Sequence, residues 1–109
     1  MEVIREQRLA NELANGTHKV GVLELTRYYE LVEILGEPTY SEESFDGKIQ
    51  VEWVIQYGEE FFTIYDWKTF NREYTLERLS VWSVGGTTDP TKFIREIYAL
   101  TNALLENGK

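Results

Sequence analysis

The sequence predicts an α+β domain, an antiparallel sheet of three to four strands with helices packed on one face. Three observations carry this. Apolar residues alternate strictly from Ile49 to Tyr57; two further β-rich stretches follow, the first across a short turn and the second across a longer loop; and apolar residues at helical spacing occupy both ends of the chain. No repeat, low-complexity tract or linker interrupts the 109 residues. They read as a single domain, 1–109, with the N-terminal helix over 2–14 at its periphery.

Taken in order, Glu2 to Ala14 sets Leu9, Ala10, Leu13 and Ala14 on one narrow face. Arg8 and Glu12 form an i,i+4 pair, and Asn15-Gly16 supplies the stop. Val20, Val22 or Leu23, and Leu25 mark a short strand within Thr17–Leu25. Thr26 is the expected N-cap of the next helix, whose Tyr28, Leu31, Val32 and Leu35 line one side before Gly36-Glu37-Pro38 closes it. Thr39 to Lys48 is a polar loop with Asp46-Gly47 as its turn. In the alternating strand, Ile49, Val51, Trp53, Ile55 and Tyr57 face the core, while Gln50, Glu52, Val54 and Gln56 face away. Gly58-Glu59-Glu60 connects it to a second strand over Phe61–Trp67, Lys68 to Thr75 forms a longer loop, and a third strand runs from Leu76 to Val84, ending at Gly85-Gly86. The last helix has Asp89 as N-cap, Pro90 at N1 and Gly108 just past its end. Its apolar stripe comprises Phe93, Ile97, Leu100 and Leu104, flanked by Ile94, Tyr98 and Leu105.

The chain carries 19 acids against 11 bases, a net charge of −8. The excess is lopsided: residues 1–60 hold thirteen acids and five bases, residues 61–109 six of each. Such a field disfavours direct nucleic-acid binding and anionic membrane, and draws basic partners; it also serves simply to keep a small domain soluble. Cysteine is absent, which excludes disulfides, thiolate metal sites and a cysteine nucleophile and fits a reducing compartment. The start lacks a signal-peptide pattern, and no apolar run is long enough to span a bilayer. These features predict a soluble cytoplasmic domain.

Catalytic chemistry is hard to assemble from these residues. His18 is the single imidazole and has no nucleophile in its sequence context or metal-ligand spacing around it. Gly85-Gly86 lacks dinucleotide-binding spacing and reads as a tight strand-to-helix connection. Glu59-Glu60 suits a solvated turn better than a cation site. Glu52 and Asp66 become neighbours only if the hairpin register sets them together, which spacing does not determine. No catalytic residue, cofactor or metal is expected. The aromatics Trp67, Phe70 and Tyr74, close to Lys68 and Arg72, fit either a contact surface or a secondary core patch under the loop.

The strings Asn15-Gly16-Thr17, Leu31 through Gly36-Glu37-Pro38, Glu52-Trp53, Thr63 through Trp67-Lys68, and Trp82 through Gly85-Gly86 occur in that order. As a set they resemble a group of small bacteriophage and prophage accessory proteins with an NGT…LFGEP…EW…ATIYDWK…WHIGG pattern and a C-terminal helix. The match covers about residues 15–105. It departs at Ser83, where the group often has His, and at Glu59–Phe62, in place of a DGT turn. By analogy the resemblance implies a part in host takeover or in blocking bacterial defence.

Together these readings give the expectation of a non-enzymatic, phage-type inhibitor, anti-CRISPR or otherwise anti-defence, that blocks a basic site on a host bacterial protein. Its surface would comprise Glu42, Glu43, Asp46, Glu59 and Glu60, with Trp67, Phe70 and Tyr74 as apolar anchors. One alternative is a DNA mimic. Another is a sponge for a nucleotide immune signal, in which Trp67 or Trp82 stacks a base and Lys68, Arg72 or Arg78 meets phosphate. The oligomeric state stays open, a homodimer included.

Overall fold

A computed structural model describes residues 1–107 and places nine elements in an α+β arrangement. The strands are β1 (Glu2–Val3), β2 (His18–Leu23), β3 (Glu52–Tyr57), β4 (Glu60–Tyr65) and β5 (Trp82–Gly86); the helices are α1 (Gln7–Ala14), α2 (Tyr28–Leu35), α3 (Arg72–Glu77) and α4 (Thr91–Asn107). The sheet has five strands, not three to four, in the order β1-β3-β4-β5-β2, with antiparallel pairing throughout. The meander β3-β4-β5 forms its centre; the edges are β2, the short strand expected within 17–25, and β1, which was expected to be helix.

The main core fills one face. Trp53 and Trp82 meet edge-to-face with ring centroids 5.7 Å apart, and Phe62 stacks on Phe93 at 4.6 Å. Leu31 of α2 and Phe93 and Ile97 of α4 close over them. Both buried indoles satisfy their N–H groups at the two ends of α2. Trp82 Nε1 donates to Thr26 O (2.8 Å) and Trp53 Nε1 donates to Gly36 O (3.0 Å). Helix α2 is thus held at entry and exit by the two largest core side chains, which is why neither Trp is free for other work.

Several local expectations are corrected. The helix expected over 2–14 begins at Gln7, because Glu2-Val3 pairs with Ile55-Gln56 and Ile4 N donates to Val54 O (2.8 Å). Helix α1 does not lie on the common face. Fully buried Ala10 packs with Ile4 and Val54 on the opposite side of the sheet, so Val54 is covered where a solvent-facing residue was expected. Thr26 does not cap α2; it is buried against the core, and Arg27 takes the N-cap, its N–H bonded to Glu30 Oε1 (2.9 Å). Helix α3 forms in what was expected to be the 68–75 loop and takes in Leu76 and Glu77 of the expected third strand, which is strand only from Trp82; the helix is capped by the Asn71 side chain on Tyr74 N (3.0 Å). Gly85 and Gly86 lie within β5 rather than after it: a Cβ there would come within 2.5 Å of Thr63 Oγ1 and 2.8 Å of the Phe62 ring. On α4 the buried stripe is Phe93, Ile97 and Thr101, with Leu100 and Leu105 exposed. Asp89 accepts from Thr91 N (3.0 Å), as an N-cap does. Gly108 lies outside the described residues.

Candidate functional site

The sequence-nominated surface residues fall at two ends of the β3–β4 hairpin. Glu59 and Glu60 sit at its tip, with Tyr57 paired to Glu60. At the far end Glu52 pairs with Tyr65, roughly 17 Å away at strand rise. Glu42, Glu43 and Asp46 lie in the loop that enters this far end, and Trp67, Phe70 and Tyr74 lie in the segment that leaves it. The nominated set therefore divides, and at the far end the acidic loop meets the aromatic segment where Gly47 lies near the Phe70 ring and Lys48 stands by Trp67.

Asp66 joins the two segments. Its fully buried carboxylate accepts from Gln50 N (2.7 Å) and Val51 N (3.0 Å) on the entering chain, and from Thr69 Oγ1 (2.6 Å) and Thr75 Oγ1 (3.0 Å) on the leaving one. Lys68 N adds a bond to Lys48 O (2.7 Å). Between these anchors Lys68 and Phe70 take φ of +55° and +52°, a left-handed conformation that costs each of them about 1–2 kcal/mol. The loop so held turns Trp67 (48% exposed) and Phe70 (62%) to solvent, and Tyr74 (45%) follows on α3. Lys48 Nζ and Lys68 Nζ each stand 5.7 Å from the Trp67 ring centroid.

The acidic loop is partly tied down. Asp46 accepts from Ser44 Oγ (2.8 Å) and Lys48 N (3.1 Å), and these hydrogen bonds hold its carboxyl below the usual range. Glu43 Oε2 lies 3.5 Å from Gln50 Nε2. Phe45, at this loop's apex, is fully exposed.

Beside the loop runs an open groove of about 670 Å³, walled by Gln7 and Asn11 of α1, by Tyr40 to Phe45, and by Ile49 and Glu52. Tyr40 bridges its walls: its main chain pairs with Glu52, and its hydroxyl meets Gln7 O (3.0 Å) and Asn11 Oδ1. The Glu52 carboxylate has no hydrogen-bond or ion-pair partner among the described residues. Burial, and secondarily the charge of Asp66, push its carboxyl up to about 7. Glu52 and Asp66 are thus electrostatic neighbours, but Asp66 is consumed by four hydrogen bonds and only Glu52 faces the groove.

The nucleotide-binding alternative loses a member. Trp82 is fully buried with its N–H engaged, so no ring face is open to a base. Arg72 donates to Gln50 O (3.2 Å), and Arg78 borders a separate shallow hollow with Glu73 and Glu77. Trp67 and Lys68 stay together and exposed. His18 is exposed at the start of β2, paired with Gly86. Among the described residues no group of three or more His, Asp or Glu side chains is placed to hold a metal, and no helix is long and apolar enough to cross a membrane.

Four contributors to this region escaped the sequence reading. Tyr40 and Phe45 carried a signal, two aromatics in a polar acidic loop. Gln7 and Asn11 carried none, since α1 reaches the groove only through the fold. Fold and site together define an α+β protein with an open acidic groove next to a fixed aromatic loop. No protein-family model matches the chain, and neither a curated protein nor a solved structure matches it.

Proposed function

We propose that this chain is a non-enzymatic binding protein that docks on a basic site of a bacterial protein and occludes it, as an inhibitor of phage type directed at host defence. The observation that carries the reading is the strained loop at Lys68 and Phe70: buried Asp66 holds it in place, and it displays Trp67, Phe70 and Tyr74 beside Glu42 and Glu43. Backbone strain retained by a buried network, with large aromatics turned outward, has no benefit for the core and suits a preorganised contact surface. The acids alongside steer a basic partner and give the encounter its salt dependence. Glu59 and Glu60 lie at the other end of the hairpin and drop out of the contact set.

The test is tagged-bait capture from bacterial lysate at low salt, run with three variants. A partner retained by wild type and by Glu59→Lys/Glu60→Lys, but lost with Trp67→Ala/Phe70→Ala and with Glu42→Lys/Glu43→Lys, supports the reading. Equal recovery by all four baits removes it. Competition by duplex DNA would favour the DNA-mimic version.

The two lysines flanking Trp67 favour one other reading, a site for an anionic nucleotide stacked near that ring. Calorimetry against cyclic and ADP-ribose-type nucleotides decides it: saturable heat abolished by Trp67→Ala would move the assignment to a nucleotide sponge.

A further inference from the structure

We infer that the open edge of β2, with the apolar hollow between it and α4, is the docking surface for a second copy of this chain. The two β2 strands pair antiparallel across a two-fold axis near Gly21–Val22, so that one sheet runs through both molecules. This surface lies on the sheet edge away from the acidic loop and is independent of the docking reading above.

The two edges of the sheet differ. The outer side of β3 is taken up in pieces, by β1 over two residues and by Tyr40 at Glu52, and pieces so short give a further strand little to pair with. At the other end of the order β1-β3-β4-β5-β2, the edge strand runs for six residues, His18–Leu23. Among the described residues no main-chain hydrogen bond reaches 18–23 except through the pairing with β5. The outward N–H and C=O groups of β2 are therefore a template for one more strand. The register with β5 shifts between Lys19 and Gly21, and Gly21–Leu23 stays regular on the side where the axis falls.

Helix α4 adds apolar surface beside this edge. It crosses so close that a Cβ on Gly21 would stand 3.0 Å from Ile94 Cδ1 and 3.2 Å from Pro90 Cγ. Glu24 N donates to the Tyr98 hydroxyl (2.7 Å), which ties the end of the strand to the helix. Between them lies an open hollow of about 470 Å³ bordered by Val20, Pro90, Ile94 and Tyr98. Val22 is 38% exposed on the opposite face from fully buried Leu23. A strand added along β2 covers apolar atoms on both of its faces.

Charge makes the second copy the fitting occupant. Lys19 near the start of β2 and Glu24 just past its end are both exposed, and neither has an ion-pair partner among the described residues. Antiparallel pairing of two identical strands brings each Lys19 to the Glu24 end of the other, so the same favourable contact is made twice. The net charge of −8 opposes self-association unless the acids are kept apart. The 42–46 loop enters β3, which β4 and β5 separate from β2. Pairing through β2 therefore sends both acidic loops to the outer edges of the joint sheet, about 34 Å apart at strand spacing and well beyond the ~8 Å Debye length.

The test is sedimentation equilibrium of the full chain at physiological salt, up to about 200 μM, a range that covers the weak affinity of small interfaces. A reversible rise from the chain mass to twice that mass is expected. Val22→Lys, which sets two like charges near the axis, should hold the protein at the chain mass, with slower amide exchange over 18–24 in wild type than in this variant. Lys19→Glu and Glu24→Lys should each weaken the dimer about tenfold, and the double swap should restore it to within about threefold. Glu24→Lys also lowers the net charge, so weakening by it is not an effect of overall repulsion. Circular dichroism checks that each variant is folded. The chain mass at every concentration overturns the proposal and leaves the edge to a strand of another protein. A dimer that survives Val22→Lys, or a charge swap that rescues neither single variant, also overturns it. A dimer lost with Trp67→Ala/Phe70→Ala but kept in Val22→Lys would move the contact to the aromatic loop.

Discussion

On one face of the sheet Trp53, Trp82, Phe62 and Phe93 interlock under α2 and α4. On the other, α1 covers Val54 with Ala10 and stops, leaving Glu52 under an open groove. The first face satisfies its polar atoms internally, down to the two indole N–H groups on the ends of α2. The second keeps a carboxylate without a partner and, at the same end of the hairpin, an aromatic loop in left-handed backbone. Satisfied packing and unfavourable terms thus fall on different faces of the sheet.

The sharpest way to break this division is to attack the closed face. Trp82→Ala leaves a large cavity and removes the bond to Thr26 O, and should cost about 3–5 kcal/mol. Most of a small domain's stability disappears with it. Urea unfolding followed by far-ultraviolet circular dichroism checks this; a midpoint close to wild type would mean the indole is not the keystone of that face.

Asp66 is the hinge between the two regions. Asp66→Ala strips acceptors from two backbone N–H groups and two threonine hydroxyls, with an expected cost of about 3 kcal/mol. Unlike Trp82→Ala, it should also free the 67–71 segment, detected as selective proteolytic cleavage there under conditions where wild type resists. Global destabilisation without local cleavage would show that Asp66 does not hold the loop.

The open face should show the opposite sign. The folded Glu52 carboxyl titrates near 7 and its ordinary value is 4.5, so the folded chain keeps a proton that the unfolded chain releases between those values. The stability this provides is complete below about pH 4.5 and is lost as pH rises through 7. Glu52→Gln should therefore stabilise the protein at pH 8 by about 2 kcal/mol, allowing for solvent at the groove mouth, and flatten the profile between pH 5 and 8. A wild-type urea midpoint that rises across that interval would refute it.

The smallest effect belongs to the hairpin tip. Glu59→Lys/Glu60→Lys alters two exposed carboxylates at the end of the hairpin away from Asp66 and should change stability by no more than about 0.5 kcal/mol. Thermal melts of the double variant measure this. A larger shift would mean the tip's charge is coupled to the sheet.

The sequence was a good guide wherever contacts are local. The alternation through Trp53 and Ile55, the Gly58 turn and the stripe from Phe93 to Ile97 each express a single period, and the structure keeps them. It misled at Val54, because alternation reveals which residues share a face but not whether the second face is covered. It misled at Thr26, whose side-chain type suited a cap while its backbone carbonyl was claimed by an indole 56 residues away. At the site, Trp67, Phe70 and Tyr74 were legible as aromatics in a loop; that Phe70 and Lys68 sit in strained backbone was not, since the strain depends on Asp66 reaching across from β4 to Gln50 and Val51.

By itself the sequence determined the α+β class, the central meander and an acidic first half carrying the entire net charge of −8. Only the tertiary structure decided which of those acids matter together. Charge counts add along a chain, but a carboxylate's energy depends on the solvent and dipoles around it. Asp66 and Glu52 look equivalent in sequence, yet the hairpin register gives one four hydrogen bonds and leaves the other facing an open groove.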